Sequence, residues 1–169
     1  MALTRINNNS LSAVTSAGIP GHGSLTTFEI WEIQSNITAD QAPVTEWVRQ
    51  TSLGDNTTYS SGIFTFPSTG YWLIQASCYF RVVSGSHCRL NTAITTDGSN
   101  YINKAQAYKE ASNTGGQMDS TVSSSYIFDV TDISTHKLRT NFDLNDASNI
   151  FSGFTDGRST LTIIKLADT

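Results

Sequence analysis

Between Tyr71 and Val83 the chain reads YWLIQASCYFRVV. At the two-residue period of a strand, Trp72, Ile74, Ala76, Cys78, Phe80 and Val82 share one face. Tyr71, Leu73, Ser77, Tyr79 and Val83 share the other with Gln75 and Arg81. One face of a sandwich strand normally meets water, so apolar residues on both faces demand a second cover. The segment just before it, SSGIFTFPSTG, is a short apolar run that must stop at Pro67, which cannot donate to a sheet ladder. Ser68, Thr69 and Gly70 then turn the chain into the long strand.

The rest of the chain carries the same kind of pattern. TTFEIWEIQ has apolar Phe28, Ile30, Trp31 and Ile33, with a phase slip between Ile30 and Trp31 that predicts a bulge or burial on both faces. VTEWVRQT, CRLNTAIT, STVSSSYIFDVT, NIFSGFT and STLTIIKLA each read as strands, and Asp97-Gly98-Ser99-Asn100 as a turn. HKLRTNFDLND alternates Leu138, Thr140, Phe142 and Leu144 against Lys137, Arg139, Asn141 and Asp143. Residues 105 to 120 are polar and glycine-bearing; a long loop is expected there, with a short strand or a helical turn at Gln106–Glu110. Eight to ten short strands separated by turns, with no helical periodicity, predict an all-β antiparallel sandwich or jelly roll.

Composition narrows the function classes. The chain has 169 residues and a net charge of -4, with only 14% charged residues, which argues against the dense basic patch that nucleic acid requires. No run approaches the roughly 18 apolar residues of a membrane-spanning helix, so no membrane insertion is expected. Residues 1–24, polar and punctuated by Gly18, Pro20, Gly21 and Gly23, read as an arm preceding a domain over 25–169. The two cysteines, Cys78 and Cys88, are either free buried thiols or a disulfide across a strand connection. With no adjacent histidine pair they make an incomplete zinc set.

Two resemblances add to this reading. Gly62, Phe64, Pro67, Gly70 and Tyr71 form a Gly-x-Phe-x-x-Pro-x-x-Gly-Tyr pattern similar to that of the globular head of complement component 1 subcomponent q, within the superfamily shared with tumour necrosis factor. Asn149 to Thr155, NIFSGFT, resembles that family's Phe-Ser-Gly-Phe segment, and STLTIIKLA is placed like its closing strand. The family's Gly-Asp before the penultimate strand pair is replaced by DISTHK, Asp132 to Lys137. No Gly-X-Y repeat occurs, and no receptor or calcium site of the family carries over. The resemblance implies a ten-stranded jelly roll that assembles as a homotrimer. The apolar second face of the long strand asks for a partner independently, which makes Tyr71, Leu73, Tyr79 and Val83 the expected trimer interface. The opening MALTRINNNSLSAVTSAGIP resembles the start of virion structural proteins of tailed bacteriophages, especially marine ones. This implies a location on the virion and makes Leu3, Ile6, Leu11, Val14 and Ile19 the expected particle-anchoring residues.

No catalytic constellation emerges. His22, His87 and His136 lie outside any nucleophile-elbow or zinc-protease context and read as solvated loop residues. Asp143, Asp146 and Asp156, with Asn145 and Asn149, supply the hard oxygen ligands calcium takes, yet turn chemistry explains them equally well and no metal is expected. No cofactor is implied. The expected function is therefore non-enzymatic: a trimeric knob attached by its arm to a phage capsid or tail protein, as a capsid decoration or cement protein. The alternative is a receptor- or carbohydrate-binding knob of a fibre, contacting a host surface glycan or receptor through the loops at Ser84–Cys88, Asp97–Tyr101 and Asn113–Gln117. A glycan-processing enzyme lacks a recognisable carboxylate pair.

Overall fold

The computed structural model describes residues 25–111, 116–146 and 158–169, with Ile150 and Phe151 described by their strand pairing alone. Residues 1–24, expected to form an arm and including Leu3, Ile6, Leu11, Val14, Ile19 and His22, lie outside the described residues, as do Asn149 and Asp156.

Among the described residues there are eleven strands and no helix. In chain order they are β1 (Phe28–Ile33), β2 (Trp47–Leu53), β3 (Thr58–Ser60), β4 (Ile63–Thr65), β5 (Gly70–Val83), β6 (His87–Thr95), β7 (Ile102–Glu110), β8 (Gln117–Val130), β9 (Lys137–Leu144), β10 (Ile150–Phe151) and β11 (Thr160–Ala167). The first sheet runs β2-β1-β11-β5-β8, with β10 continuing the β11 edge of β5. The second runs β3-β4-β9-β6-β7. All pairings between these strands are antiparallel. This is a jelly-roll sandwich, one of the two architectures the strand spacing allows and the one the family resemblance implies.

The core lies between the sheets. On β5, Trp72, Ile74, Cys78, Phe80 and Val82 are fully buried. Facing them from the second sheet are Phe64, Cys88, Leu90, Leu138 and Phe142. Trp31 meets Phe64 edge-on at 5.1 Å between ring centroids, and Phe66 packs on Trp72 at the same distance. Two core threonines are satisfied across the gap. Trp47 Nε1 donates to Thr140 Oγ1 at 2.8 Å, and Thr92 Oγ1 lies 3.0 Å from Ser124 Oγ. Both cysteine thiols are free and buried. Burial pushes the Cys88 thiol up to about 12, with the Asp143 carboxylate adding to the effect.

The motif glycines have steric reasons. Gly70 has φ 140°, and a Cβ there would sit 2.4 Å from the Ala167 carbonyl oxygen on β11. Gly62 has φ 80°, and a Cβ would sit 2.5 Å from the Pro43 ring. Gly62, in the turn between β3 and β4, and Gly70, at the start of β5, therefore tolerate no side chain.

Three expectations need correction. Residues 105 to 120 are not a long loop, and Gln106–Glu110 is not a helical turn. The segment contains most of β7 and the start of β8. β7 is an edge strand, so most of its polar side chains meet water and its inward phase holds only Ala105, Ala107 and Lys109, which hides the strand period in the sequence. Second, His136 is not solvated: it is 8% exposed, its ring stacked on Phe128 at 5.4 Å. Its ring nitrogens lie 3.2 Å from Thr131 Oγ1 and Thr135 Oγ1. Third, of the two causes expected for the phase slip in β1, the irregularity is present and burial of both faces is not. The irregularity is in the pairing with β2, where the register shifts between Ile30 and Trp31. Along β1 itself Glu29, Trp31 and Ile33 point inward and Phe28, Ile30 and Glu32 outward.

Candidate functional site

The outer face of the first sheet is set by the same alternation. Because Trp72 and Ile74 point into the core, Tyr71, Leu73, Gln75, Ser77, Tyr79, Arg81 and Val83 point out. Register then fixes what stands beside them. Leu73 lies opposite Ile127 of β8 on one side and Ile164 of β11 on the other. Ile164 lies opposite Phe28 of β1, and Phe28 opposite Leu53 of β2. Five apolar side chains thus form one row across five strands, Leu53-Phe28-Ile164-Leu73-Ile127. The two ends of the row are 48% and 53% exposed. Tyr71 extends the row from the next outward position of β5 and is 42% exposed. Ile30 stands on its other side.

The row beyond is small and uncharged across most of its width: Thr51, Ile30, Thr162, Gln75 and Ser125 lie in register. Charge stands at Asp129 of β8 opposite Tyr71, at Glu32 of β1 in the row of Ser77, and towards the far end of β5. There Arg81 Nε pairs with Asp119 Oδ1 of β8 at 2.8 Å, and the Arg158 guanidinium lies 5.4 Å from the Tyr79 ring. Hydrogen bonding from Arg81 holds the Asp119 carboxyl below the usual carboxylate range.

The four residues expected at an interface are therefore distributed unevenly. Tyr71 and Leu73 belong to the apolar row. Tyr79 and Val83 share the face but stand about 20 Å and more along the strand from Leu73, at roughly 3.3 Å per residue, beyond Gln75 and Ser77. The apolar surface runs across strands, whereas the sequence shows a stripe only along one. Phe28, Leu53, Ile127 and Ile164 complete it, and none of the four is among the interface residues expected from the sequence. For Phe28 and Ile164 the signal is an apolar residue on the outward phase of FEIWEI and TLTIIKLA.

The other candidate residues are placed as follows. Asp143 pairs with Arg89 at 3.3 Å, and Asn145 Oδ1 accepts the His87 N–H at 2.5 Å, so these two serve the β6–β9 edge. Among the described residues no cluster of three metal-ligating side chains occurs. The three loops expected to form one recognition surface do not all meet. Ser84–Ser86 joins the chain near Ala111, whose N–H donates to the Ser86 carbonyl at 3.0 Å. Asp97–Tyr101 lies at the opposite end of β6, and Asn113 to Gly115 lie outside the described residues.

Comparison with known proteins bears on the fold. No known protein family and no curated protein matches the chain. Among solved structures it is similar to the Eiger tumour necrosis factor of S. frugiperda, with TM-score 0.66 and 14% identity over 84% of this chain and 93% of that one. It is also similar to murine APRIL at pH 8.5, with TM-score 0.60 and 14% identity, covering 83% of this chain and 98% of that one. At pH 5.0 the murine APRIL structure gives TM-score 0.59 and 12% identity, over 82% and 99%. The jelly roll is thus of the tumour-necrosis-factor type in architecture.

Proposed function

We propose that the protein is a non-enzymatic, homotrimeric knob whose copies close against one another through the row Leu53-Phe28-Ile164-Leu73-Ile127. The row itself carries the proposal. A monomer would leave this apolar surface in water, and symmetric self-association is the common way to cover it. Each few hundred Å2 of apolar surface covered is worth several kcal/mol at about 25 cal/mol per Å2, before the cost of association. The likeness to tumour-necrosis-factor folds supports an assembly of this shape.

The particle on which the trimer sits is a tailed bacteriophage virion, with capsid decoration or cement as the role. The support for this part is the resemblance of residues 1–20 to the openings of phage virion proteins, together with an arm that precedes a self-contained jelly roll. The arm supplies attachment and the jelly roll the exposed knob. The test is binding to particles that lack the protein. Full-length chain should saturate them at a stoichiometry divisible by three. Chain lacking residues 1–20 should remain a trimer in solution and fail to attach. Equal attachment of both forms would overturn the role of the arm, and attachment to cells without attachment to particles would overturn the virion role.

A further inference from the structure

We propose that the end of the sandwich at which residues 1–24 join the domain is itself a docking surface, which seats on a basic protein surface of the particle. The contact is separate from that of the arm. It rests on the virion reading above and uses none of the row Leu53-Phe28-Ile164-Leu73-Ile127.

Strand direction defines this end. Phe28 at the start of β1 lies opposite Leu53 at the end of β2, and Gly70 at the start of β5 opposite Val130 at the end of β8. In the second sheet Lys137 at the start of β9 lies opposite Thr95 at the end of β6. Nine large apolar side chains are exposed among the described residues. Leu53, Tyr71 and Ile127 belong to the row and its flank, and Val48 and Tyr108 lie within β2 and β7. The other four are Leu25, Ile102, Ile133 and Leu166, 43% to 58% exposed. All four stand at this one end: before β1, at the first residue of β7, between β8 and β9, and one residue before the end of β11. Exposed apolar side chains gathered in one region mark a surface that meets another protein.

The segments that carry them are fastened to one another. The Thr27 carbonyl accepts from the Lys165 N–H at 3.1 Å, and Lys165 Nζ donates to Ser68 Oγ at 2.9 Å, which ties β11 to the connection between β4 and β5. Phe128 packs on Phe66 at 5.7 Å and on His136 at 5.4 Å between centroids. A Cβ on Gly98, in the β6–β7 turn, would stand 3.8 Å from Thr135 Cα, in the segment leading to β9. Within that segment Asp132 Oδ1 accepts from the Ser134 N–H at 2.8 Å. A surface held in one shape before contact loses little freedom on binding.

Charge defines the partner. The segments 25–27, 54–57, 66–69, 96–101, 131–136 and 168–169 hold Asp55, Asp97, Asp132 and Asp168 and no lysine or arginine. The lysines that adjoin them are engaged, Lys165 with Asp168 at 2.6 Å and Lys137 Nζ with the Ile133 carbonyl at 2.8 Å. Apolar side chains set among an excess of carboxylates match a surface with an apolar centre and a rim of lysine or arginine. Residues 1–24 enter the domain at Leu25, inside this surface. An arm held by the particle therefore brings this end against it, at a high effective concentration, and leaves the β5–β6 hairpin facing away.

The experiment is cosedimentation of labelled full-length protein with particles that lack it, comparing the parent with Ile133→Lys, Ile133→Asp, Asp55→Lys and Glu110→Lys. All keep the arm, and each is first matched to the parent in melting temperature and molar mass. Ile133→Lys and Asp55→Lys should each weaken attachment ~10-fold or more, and Ile133→Asp less than Ile133→Lys. Glu110→Lys makes the same charge change at the opposite end, where β7 finishes, and should attach like the parent. Parent attachment should weaken as salt rises from ~0.05 M to ~0.5 M. Parent-like attachment of both Ile133→Lys and Asp55→Lys would overturn this docking and leave anchoring by the arm standing. An equal loss in Glu110→Lys, a larger loss in Ile133→Asp than in Ile133→Lys, or attachment indifferent to salt would overturn it in the same way. Failure of the parent to attach would overturn the docking and the virion reading together.

Discussion

Glu29 is the most consequential single residue of the interior. It is fully buried on β1, and its carboxylate accepts from Trp31 Nε1 at 3.0 Å, Arg49 Nε at 3.1 Å, and the N–H and hydroxyl of Thr57. One side chain thereby fastens β1 to β2 and to the loop entering β3. Removing one partner of such a buried pair leaves Arg49 over the Trp31 ring without its counter-charge. Glu29→Ala is expected to destabilise the domain by about 3 kcal/mol or more in chemical denaturation. At the surface, Asp97 organises the β6–β7 turn. Its carboxylate accepts from the Asn100 side chain and from the backbone N–H groups of Asn100 and Ser99, which hold it far below the usual carboxylate range. A carboxyl lowered by folding contributes stability above its unfolded value near 3.9, and loses it as pH falls through the folded value. Asp97→Ala should therefore melt at a lower temperature than the parent at pH 7, and the gap should narrow as pH falls below 4. The Asp97 turn was legible in the sequence because turn chemistry is local. Glu29 was not: a carboxylate on the inward phase of an apolar strand is explained only by Arg49 and Thr57, which lie 20 and 28 residues further along the chain.

The strands themselves were mostly visible as elements. Pro67 and Gly70 delimit β5, whose alternation matches its burial residue by residue. β7 escaped because an edge strand with Asn103, Lys104 and Gln106 lacks the apolar period on which strand recognition rests. Cross-strand register escaped for a different reason. Nothing local to Leu73 reveals that Ile127 and Ile164 are its neighbours, although those pairs decide where the apolar surface runs. This distinction yields a test. Leu73→Asp and Ile127→Asp both place charge in the row, on different strands. Each should weaken self-association by at least ~100-fold, on the order of 3 kcal/mol, while leaving far-ultraviolet circular dichroism unchanged. The same substitution at Val83, which stands on the outer face well away from the row, should weaken it far less. Equal effects at all three positions would mean that the interface follows β5 rather than crossing it.

At the scale of the molecule the two outer faces differ in character. The first sheet shows water an apolar row flanked mainly by small polar residues, whereas the second carries the arginines Arg89 and Arg139 with Tyr108 over amides that are themselves buried. The Gly62 to Tyr71 pattern made the architecture readable, because its glycines sit where a Cβ would strike Pro43 or Ala167 and so belong to the fold itself. Those constraints say nothing of ligands, which is why the pattern identifies a shape and leaves the polar face to be read from the structure. The central claim is that the apolar row is covered by two further copies of the chain. Light scattering of the full-length protein during size-exclusion chromatography tests it most directly. The account predicts a molar mass of about 55 kDa, three times the 18.3 kDa chain, holding on dilution to low micromolar concentration. A species of 18.3 kDa at that concentration would contradict it.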